Sequence, residues 1–462
     1  MRLAILGGGG FRVPLVYAAL ADGGPFAGLI REVALHDTDR LRLEVIGAVL
    51  RSMPSGPTVR ATTDLDEALT GADFVFSAIR VGGTAGRVAD ERVPLREGVL
   101  GQETVGAGGV LYALRTLPVM TEIARRVRAV APDARVVNFT NPAGMVTEAM
   151  SAVLGDRVVG ICDSPVGLVR RAARAAGVDA RYVDAADATD AADAVEYEYL
   201  GLNHLGWLRS LRLGDRELLP GLLASPDALD SFEEGRLFGP RLLGALGLLP
   251  NEYLHYYYFR RETLAAARDA EQTRGEFLHR QQTEFYTRAA EQPARAHRFW
   301  REARLRREET YLAEARSAGG GWQRDGCDLD GGGYERVALS LMAALSGASG
   351  RRRLVLNVRN GATLPALPAD AVVETVCEVD GDGVRSVPST PLDGAELGLV
   401  LQVKAVERAT IEAAATGSRT AALRALLLHP LVDSPDVAAR VLDAADPAVL
   451  RGGPDSPAVR GS

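Results

Sequence analysis

Short apolar runs that end at glycine or acidic turns organise the first part of the chain. Leu3-Ala4-Ile5-Leu6 is apolar throughout, as a parallel strand buried on both faces must be, and it stops at Gly7-Gly8-Gly9-Gly10 before a helical stretch at 13–20. A second run, Glu32-Val33-Ala34-Leu35-His36, stops at Asp37. The pattern continues with strands expected at 73–79, 134–139 and 158–162 and helices at 110–130 and 142–154. Alternation of this kind predicts a Rossmann-like, doubly wound α/β sheet over 1–193.

Beyond Asp193 the alternation is lost, and a mixed α+β second domain is expected over 194–451. A strand at 196–199 leads to a turn at His204, and helical patterns follow at 236–248, 253–267, 275–291 and 298–317. A glycine-rich break spans 318–333, then a helix at 334–345, strands at 354–358, 372–377 and 384–387, and a helix at 397–415. The tail, 452–462, is small, polar and proline-bearing and is expected to be disordered.

Charge and composition narrow the function classes. With 47% hydrophobic and 24% charged residues the chain reads as a soluble globular enzyme. A formal net charge of -7 gives no footprint for nucleic acid, and Arg351-Arg352-Arg353 reads as a solvated strand entrance. No apolar run reaches the length of a membrane span, and Met1-Arg2-Leu3-Ala4 passes straight into the glycine turn without a signal-peptide pattern, so a cytoplasmic protein with no membrane partner is expected. Three cysteines, Cys162, Cys327 and Cys377, are too few for a disulfide framework, and a reducing compartment keeps Cys162 available as a ligand.

A strand, a glycine turn and a helix can bring backbone N–H groups against a pyrophosphate. Gly7 and Gly9 hold the first two positions of the dinucleotide fingerprint, while Arg12 stands at the third. Asp37, at the end of the second strand, sits where a carboxylate accepts from an adenosine ribose and repels a 2′-phosphate, which favours NAD over NADP. Its bland alternative is a helix N-cap within Asp37-Thr38-Asp39.

Cys162, in Gly160-Ile161-Cys162-Asp163-Ser164-Pro165, and His204, in Gly201-Leu202-Asn203-His204-Leu205, offer a thiolate and an imidazole to one divalent metal. Two protein ligands leave coordination positions open to a substrate that chelates through two oxygens. The alternative is a buried cysteine and a histidine hydrogen-bonded in a turn. Asp163 is a general acid or the cap of the helix near Pro165. Tyr253, Tyr256 and Tyr257 fall near one helical face, as packed aromatics or as a source of a phenolate base. Donor-rich loops lie at Arg80-Val81-Gly82-Gly83, at Gly101-Gln102-Glu103-Thr104 and at Asn138-Phe139-Thr140-Asn141-Pro142, and Arg274 is an anion clamp or a surface helix start.

Together these segments, with Tyr253-Leu254-His255-Tyr256-Tyr257, the strand end at 357–364 and His429-Pro430-Leu431, resemble the family 4 glycoside hydrolases from Leu3 to about Asp433. These are NAD- and metal-dependent enzymes that depart from two-carboxylate hydrolysis. The resemblance implies a lactate/malate dehydrogenase-like architecture, with an NAD-binding domain over 1–193 and a catalytic and oligomerisation domain over 194–451. It also implies a homodimer or homotetramer and a divalent metal on Cys162 and His204, Mn favoured and Co, Ni or Fe accepted. NAD contacts are expected from Gly7, Gly9, Gly10, Phe11, Arg12, Asp37 and Arg80, and substrate contacts from Asn141, Arg87, Arg274 and Asn203.

The mechanism so implied oxidises the sugar at C3, removes the C2 proton with Tyr253, eliminates the aglycone, adds water and reduces C3 again. Asp163 matches the proton donor of resembling enzymes that act on 6-phospho-α-glucosides, whereas Asn203-His204-Leu205-Gly206-Trp207 and the later tyrosine stretch look like the 6-phospho-β-glucosidases, which are favoured. The segment Gly8-Gly9-Gly10-Phe11-Arg12-Val13-Pro14 lacks the Ser or Thr many relatives carry, which keeps an α-specific or an unphosphorylated glycoside open. The reading of a different class is an NAD-dependent dehydrogenase of a hydroxy acid or sugar.

Overall fold

Leu3, Ala4, Ile5 and Leu6 are at most 1% exposed, as their unbroken apolar run requires. Removing one such side chain from water stabilises the fold by about 1.5–3 kcal/mol. In this computed structural model the described residues are 1–179, 195–311 and 333–445, with the isolated positions 183 and 316. The expected glycine-rich break, the end of the helix begun at 298, the boundary at 193 and the tail at 452–462 fall wholly or partly outside them.

Among the described residues, contacts divide the chain into a first unit of 1–160, 270–311 and 405–445 and a second of 161–179, 195–269 and 333–404. This differs from a single cut at 193. The helices Arg274–Glu291, Ala296–Glu309, Arg419–Leu428 and Pro435–Ala444 return to the first unit.

The first unit carries β1 (Arg2–Leu6), β2 (Glu32–His36), β3 (Thr58–Thr62), β4 (Phe74–Ser77), β5 (Arg135–Asn138) and all but the last residue of β6 (Val158–Ile161), all parallel, in the order β6-β5-β4-β1-β2-β3. That is the doubly wound order whose strand ends deliver side chains to a ligand. Beneath it, Leu6, Val75, Leu114, Met120, Val136, Val146 and Met150 form a core that also takes in Val406, Leu426 and Val441 from the returning helices.

Antiparallel pairing builds the second unit. Its strands are β7 (Val195–Leu202), β8 (Leu205–Leu213), β9 (Arg216–Glu217), β10 (Leu249–Pro250), β11 (Arg352–Arg359), β12 (Val372–Asp380) and β13 (Gly383–Ser386). β7 pairs with β8 across a two-residue turn and with β12, and β12 pairs with β11 and β13. The helix expected at 253–267 is broken: a 3-10 turn at Glu252–Leu254 and a short helix His255–Tyr258 precede Arg260–Asp269. Among the described residues no helix is long and apolar enough to cross a membrane.

Candidate active site

Functional residues gather in two constellations, one in each unit. In the first, the chain leaves β1 through Gly7 at φ +86, a conformation that needs glycine. Gly7 and Gly8 N–H donate to the His36 carbonyl at 2.9 and 2.7 Å, and Gly10 N–H donates to Gly7 O at 2.8 Å. Gly9 N–H donates to Asp37 Oδ2 at 3.0 Å. All four glycine amides are therefore satisfied within the turn, and the donors it can offer a pyrophosphate begin beyond Gly10. Asp37 is not the helix cap: Asp39 caps the helix Arg40–Arg51 by accepting from Arg42 N–H.

Two carbonyls of the turn are held from the side. Tyr286 Oη donates to Gly9 O at 2.6 Å, and Trp300 Nε1 donates to Phe11 O at 2.8 Å. Phe11 packs edge-on to Phe285, with centroids 5.4 Å apart. The helix Arg274–Glu291 that supplies Tyr286 opens with a capping box of Thr273 and Glu276, worth about 1 kcal/mol, and Arg92 pairs with Glu276 at 2.5 Å. That start fixes Arg274 at the first helical position.

Guanidinium groups converge nearby. Arg274 donates to the Arg307 carbonyl at 2.8 Å and to Thr310 Oγ1, and Arg307 lies over the Phe11 ring at 5.8 Å. Arg87 pairs with Glu91 at 2.7 Å and Glu103 at 2.8 Å, while Arg80 pairs with Glu103 at 2.5 Å. Against the effect of burial, Arg80 and Arg87 hold the Glu103 carboxyl at about 2. Burial, then the charges of Arg12, Arg274 and Arg87, push Arg307 far below arginine's ordinary range, with Glu103 opposing. An arginine keeps its proton in proteins, and like charges gathered in this way favour a bound anion. Arg12 lies over Phe139 at 5.7 Å, and Asn141, two residues on, carries a buried Oδ1 that accepts no hydrogen bond.

In the second unit, Cys162 is 5% exposed and directly precedes the helix Ser164–Ala175. Asp163 occupies the N-cap position of that helix, yet its side chain makes no capping bond. His204 stands in the turn between β7 and β8 at φ +62, the one non-glycine residue with positive φ among the described residues. Such a conformation costs about 1–3 kcal/mol and points to a functional constraint. The Tyr253 ring stacks on the His204 ring at 3.6 Å and 6°. Tyr256 is further away, 6.2 Å from Tyr253. Asn251, whose side chain accepts from Tyr253 N–H at 3.1 Å and donates to Ser164 Oγ at 2.7 Å, fixes the backbone beneath the tyrosine.

Behind the histidine turn, buried Glu374 accepts from Asn203 Nδ2 at 3.1 Å, Asn357 Nδ2 at 2.9 Å and Tyr199 Oη at 3.0 Å. Burial raises the Cys162 thiol well above its ordinary value, and the carboxylates of Glu374, Asp163 and Glu252 add to that. Among the described residues no three His, Cys, Asp or Glu side chains form a metal cage. The donor set nonetheless fits a divalent metal: Cys162 offers a buried thiol set among carboxylates, and His204 offers a buried imidazole.

Two family profiles cover most of the chain: residues 3–178 match the Family 4 glycosyl hydrolase profile, and 199–432 match that of the Family 4 glycosyl hydrolase C-terminal domain. The chain belongs to this family. One relative, the "Probable 6-phospho-beta-glucosidase" of Bacillus subtilis, is 32% identical, with 90% of this chain and 88% of the relative covered. Among solved structures, the 6-phospho-beta glucosidase of Thermotoga maritima with manganese, NAD+ and glucose-6-phosphate is 25% identical, covers 99% of both chains and has a TM-score of 0.77. A 6-phospho-alpha-glucosidase from gut microorganisms, in complex with NAD and Mn2+, is also 25% identical, covers 96% of this chain and 97% of its own, and has a TM-score of 0.74.

In this family 4 glycosyl hydrolase the first unit brings together Gly7, Gly9, Gly10, Phe11, Arg12 and Asp37 at the turn, and Arg80, Arg87 and Arg274 around Glu103 and Arg307. The second holds Cys162, Asp163, His204 and Tyr253, with the His204 and Tyr253 rings in contact. Asn203, expected on the substrate, has its amide N–H engaged by Glu374. Sequence reading missed Arg307 and Glu374. Arg307 sits in Arg304-Leu305-Arg306-Arg307-Glu308-Glu309, which reads as a solvated helix face. A glutamate within apolar Val372-Val373-Glu374-Thr375-Val376 was the available signal for Glu374, since a charge in a buried strand needs a reason.

Proposed function

We propose that this enzyme cleaves 6-phospho-β-glucosides with NAD and a divalent metal, Mn favoured, as cofactors. The observation that carries the phosphorylated substrate is the convergence of Arg12, Arg87 and Arg274 on half-buried Arg307, a cluster of like charges that favours an anion. The B. subtilis and T. maritima relatives, named for β-glucosides, support the anomer. Asp163 supports a second reading, 6-phospho-α-glucosides: it directly follows Cys162, where the resembling α-specific enzymes carry their proton donor.

When bound, NAD supplies a reversible hydride acceptor for sugar C3, and the metal on Cys162 and His204 supplies polarisation of the C2 and C3 oxygens. Around that chemistry the chain's own groups have separate tasks. Asp37 accepts from the adenosine ribose, with Gly9 N–H holding its carboxylate in place. Arg12, Arg87, Arg274, Arg307 and Asn141 hold the 6-phosphate, fixing which carbon presents its hydrogen. Tyr253, stacked on His204, removes the C2 proton, and Asp163 protonates the departing glycosidic oxygen. We assign cofactor binding to the first unit, metal and proton transfer to the second, a cytoplasmic setting that keeps Cys162 reduced, and a dimer or tetramer.

The test is hydrolysis of p-nitrophenyl β-glucoside 6-phosphate, its α-anomer and both unphosphorylated compounds with NAD and Mn2+. The β-6-phosphate is expected to turn over fastest. Preference for the α-6-phosphate selects the second reading, and equal cleavage of unphosphorylated glycosides removes the role of the arginine cluster.

A further inference from the structure

Glu374 is fully buried near the start of β12, directly across from Asn357 on β11 and from Gly201 on β7. Its Oε1 takes two amide donors, which cannot act as acceptors through nitrogen, and its Oε2 takes the Tyr199 hydroxyl. Burial raises the carboxyl to about 7, while the three donors favour its ionised form. Among the described residues no Lys, Arg or His pairs with it, so its charge is stabilised by hydrogen bonds but not neutralised. An uncompensated buried carboxylate is expensive.

Of the charges that act on Cys162, that of Glu374 is the largest. A Cys162 thiolate and a Glu374 carboxylate carry two negative charges, and His204 contributes a neutral imidazole; one divalent cation brings the set to zero. Resting on the reading that Cys162 and His204 hold the metal, we propose that Glu374 is the outer positioning residue of that site, supplying the second compensating charge and, through Asn203, locking the strained turn that presents His204. In this role it acts from outside the ligand set, held by Asn203, Asn357 and Tyr199. Gly206 is part of the device: a Cβ there would meet the Tyr199 hydroxyl at 2.5 Å and push it off the carboxylate.

The experiment is Mn2+ binding to the intact enzyme with NAD present, followed by calorimetry and by the electron paramagnetic resonance of free Mn2+, for the native protein, Glu374→Gln, Glu374→Asp and Cys162→Ser. Losing an outer-shell partner weakens metal binding about 10–100-fold, so E374Q is expected to fall in that range with NAD affinity unchanged, while E374D, which keeps the charge, recovers much of the loss. Unchanged Mn2+ affinity in E374Q, or equal loss in E374D, overturns the inference. If C162S binds Mn2+ as the native protein does, the metal reading itself fails and takes this one with it. If E374Q does not fold, Tyr199→Phe replaces it: several-fold weaker Mn2+ binding is expected, and unchanged binding refutes the role.

Discussion

Arg307→Met separates an arginine kept for an anion from one kept for the fold. In the free enzyme, three guanidiniums oppose Arg307 and Glu103 alone favours it. At an effective dielectric of ~20 a close pair of unit charges is worth up to about 4 kcal/mol, so three repulsions against one attraction leave a net relief of a few kcal/mol when the charge is removed. Methionine keeps apolar bulk against Phe11, so little packing is lost. The free variant is therefore expected to melt a few degrees higher than the native protein. With glucose 6-phosphate or a glycoside 6-phosphate present the sign reverses. Losing one charge-assisted contact costs about 1.5–3 kcal/mol, or roughly 10- to 150-fold in affinity. Thermal shift with and without glucose 6-phosphate, and kcat/KM on the phosphorylated substrate, read both effects. A lower melting temperature with unchanged affinity refutes the reasoning and makes Arg307 structural.

Other predictions follow from single contacts. Tyr253→Phe keeps the ring stacked on His204 but removes the hydroxyl; kcat is expected to fall about 10²–10⁴-fold with Mn2+ and NAD binding retained, and near-native kcat rules Tyr253 out as the base. Gly9→Ala places a Cβ 2.9 Å from Asp37 Oδ2 and 2.7 Å from Arg42 Cβ, so NAD affinity measured by fluorescence titration drops while the core is untouched; an unchanged Kd contradicts the close approach. Burial, then repulsion from Glu234, raises the Glu252 carboxyl above its ordinary 4.5. The folded state then holds the proton more tightly than the unfolded one, so this contribution is complete below pH 4.5 and declines as pH rises through the higher folded value. Glu252→Gln should flatten the fall in melting temperature over that window, and an unaltered pH profile would count against it.

The parallel sheet was legible because buried strands cannot hide: Leu3–Leu6 and Val158–Ile161 are apolar without interruption. Its edge was not. β3 is Thr58-Val59-Arg60-Ala61-Thr62, largely solvent-exposed and without a core face to mark it. Nor did periodicity betray the helix Gly83–Arg96, whose buried residues include Arg87, Asp90 and Glu91 because ion pairs, not hydrocarbon, fill that face. The return of 270–311 and 405–445 to the first unit is a tertiary fact that local patterns do not encode. The site followed the same division. Cys162, His204 and Tyr253 stand in short distinctive segments, whereas Arg307 looks solvated until Arg274 and Phe11 are placed beside it.

The central claim is that NAD, a metal on Cys162 and His204, and an arginine-bound phosphate serve one hydrolysis. The most direct measurement is release of p-nitrophenol from the β-glucoside 6-phosphate with NAD and Mn2+, with NADH absorbance followed in parallel, before and after EDTA. The account predicts many turnovers without NADH accumulating, loss of activity with EDTA and recovery with Mn2+. One NADH released per substrate consumed, or hydrolysis indifferent to EDTA, would contradict it.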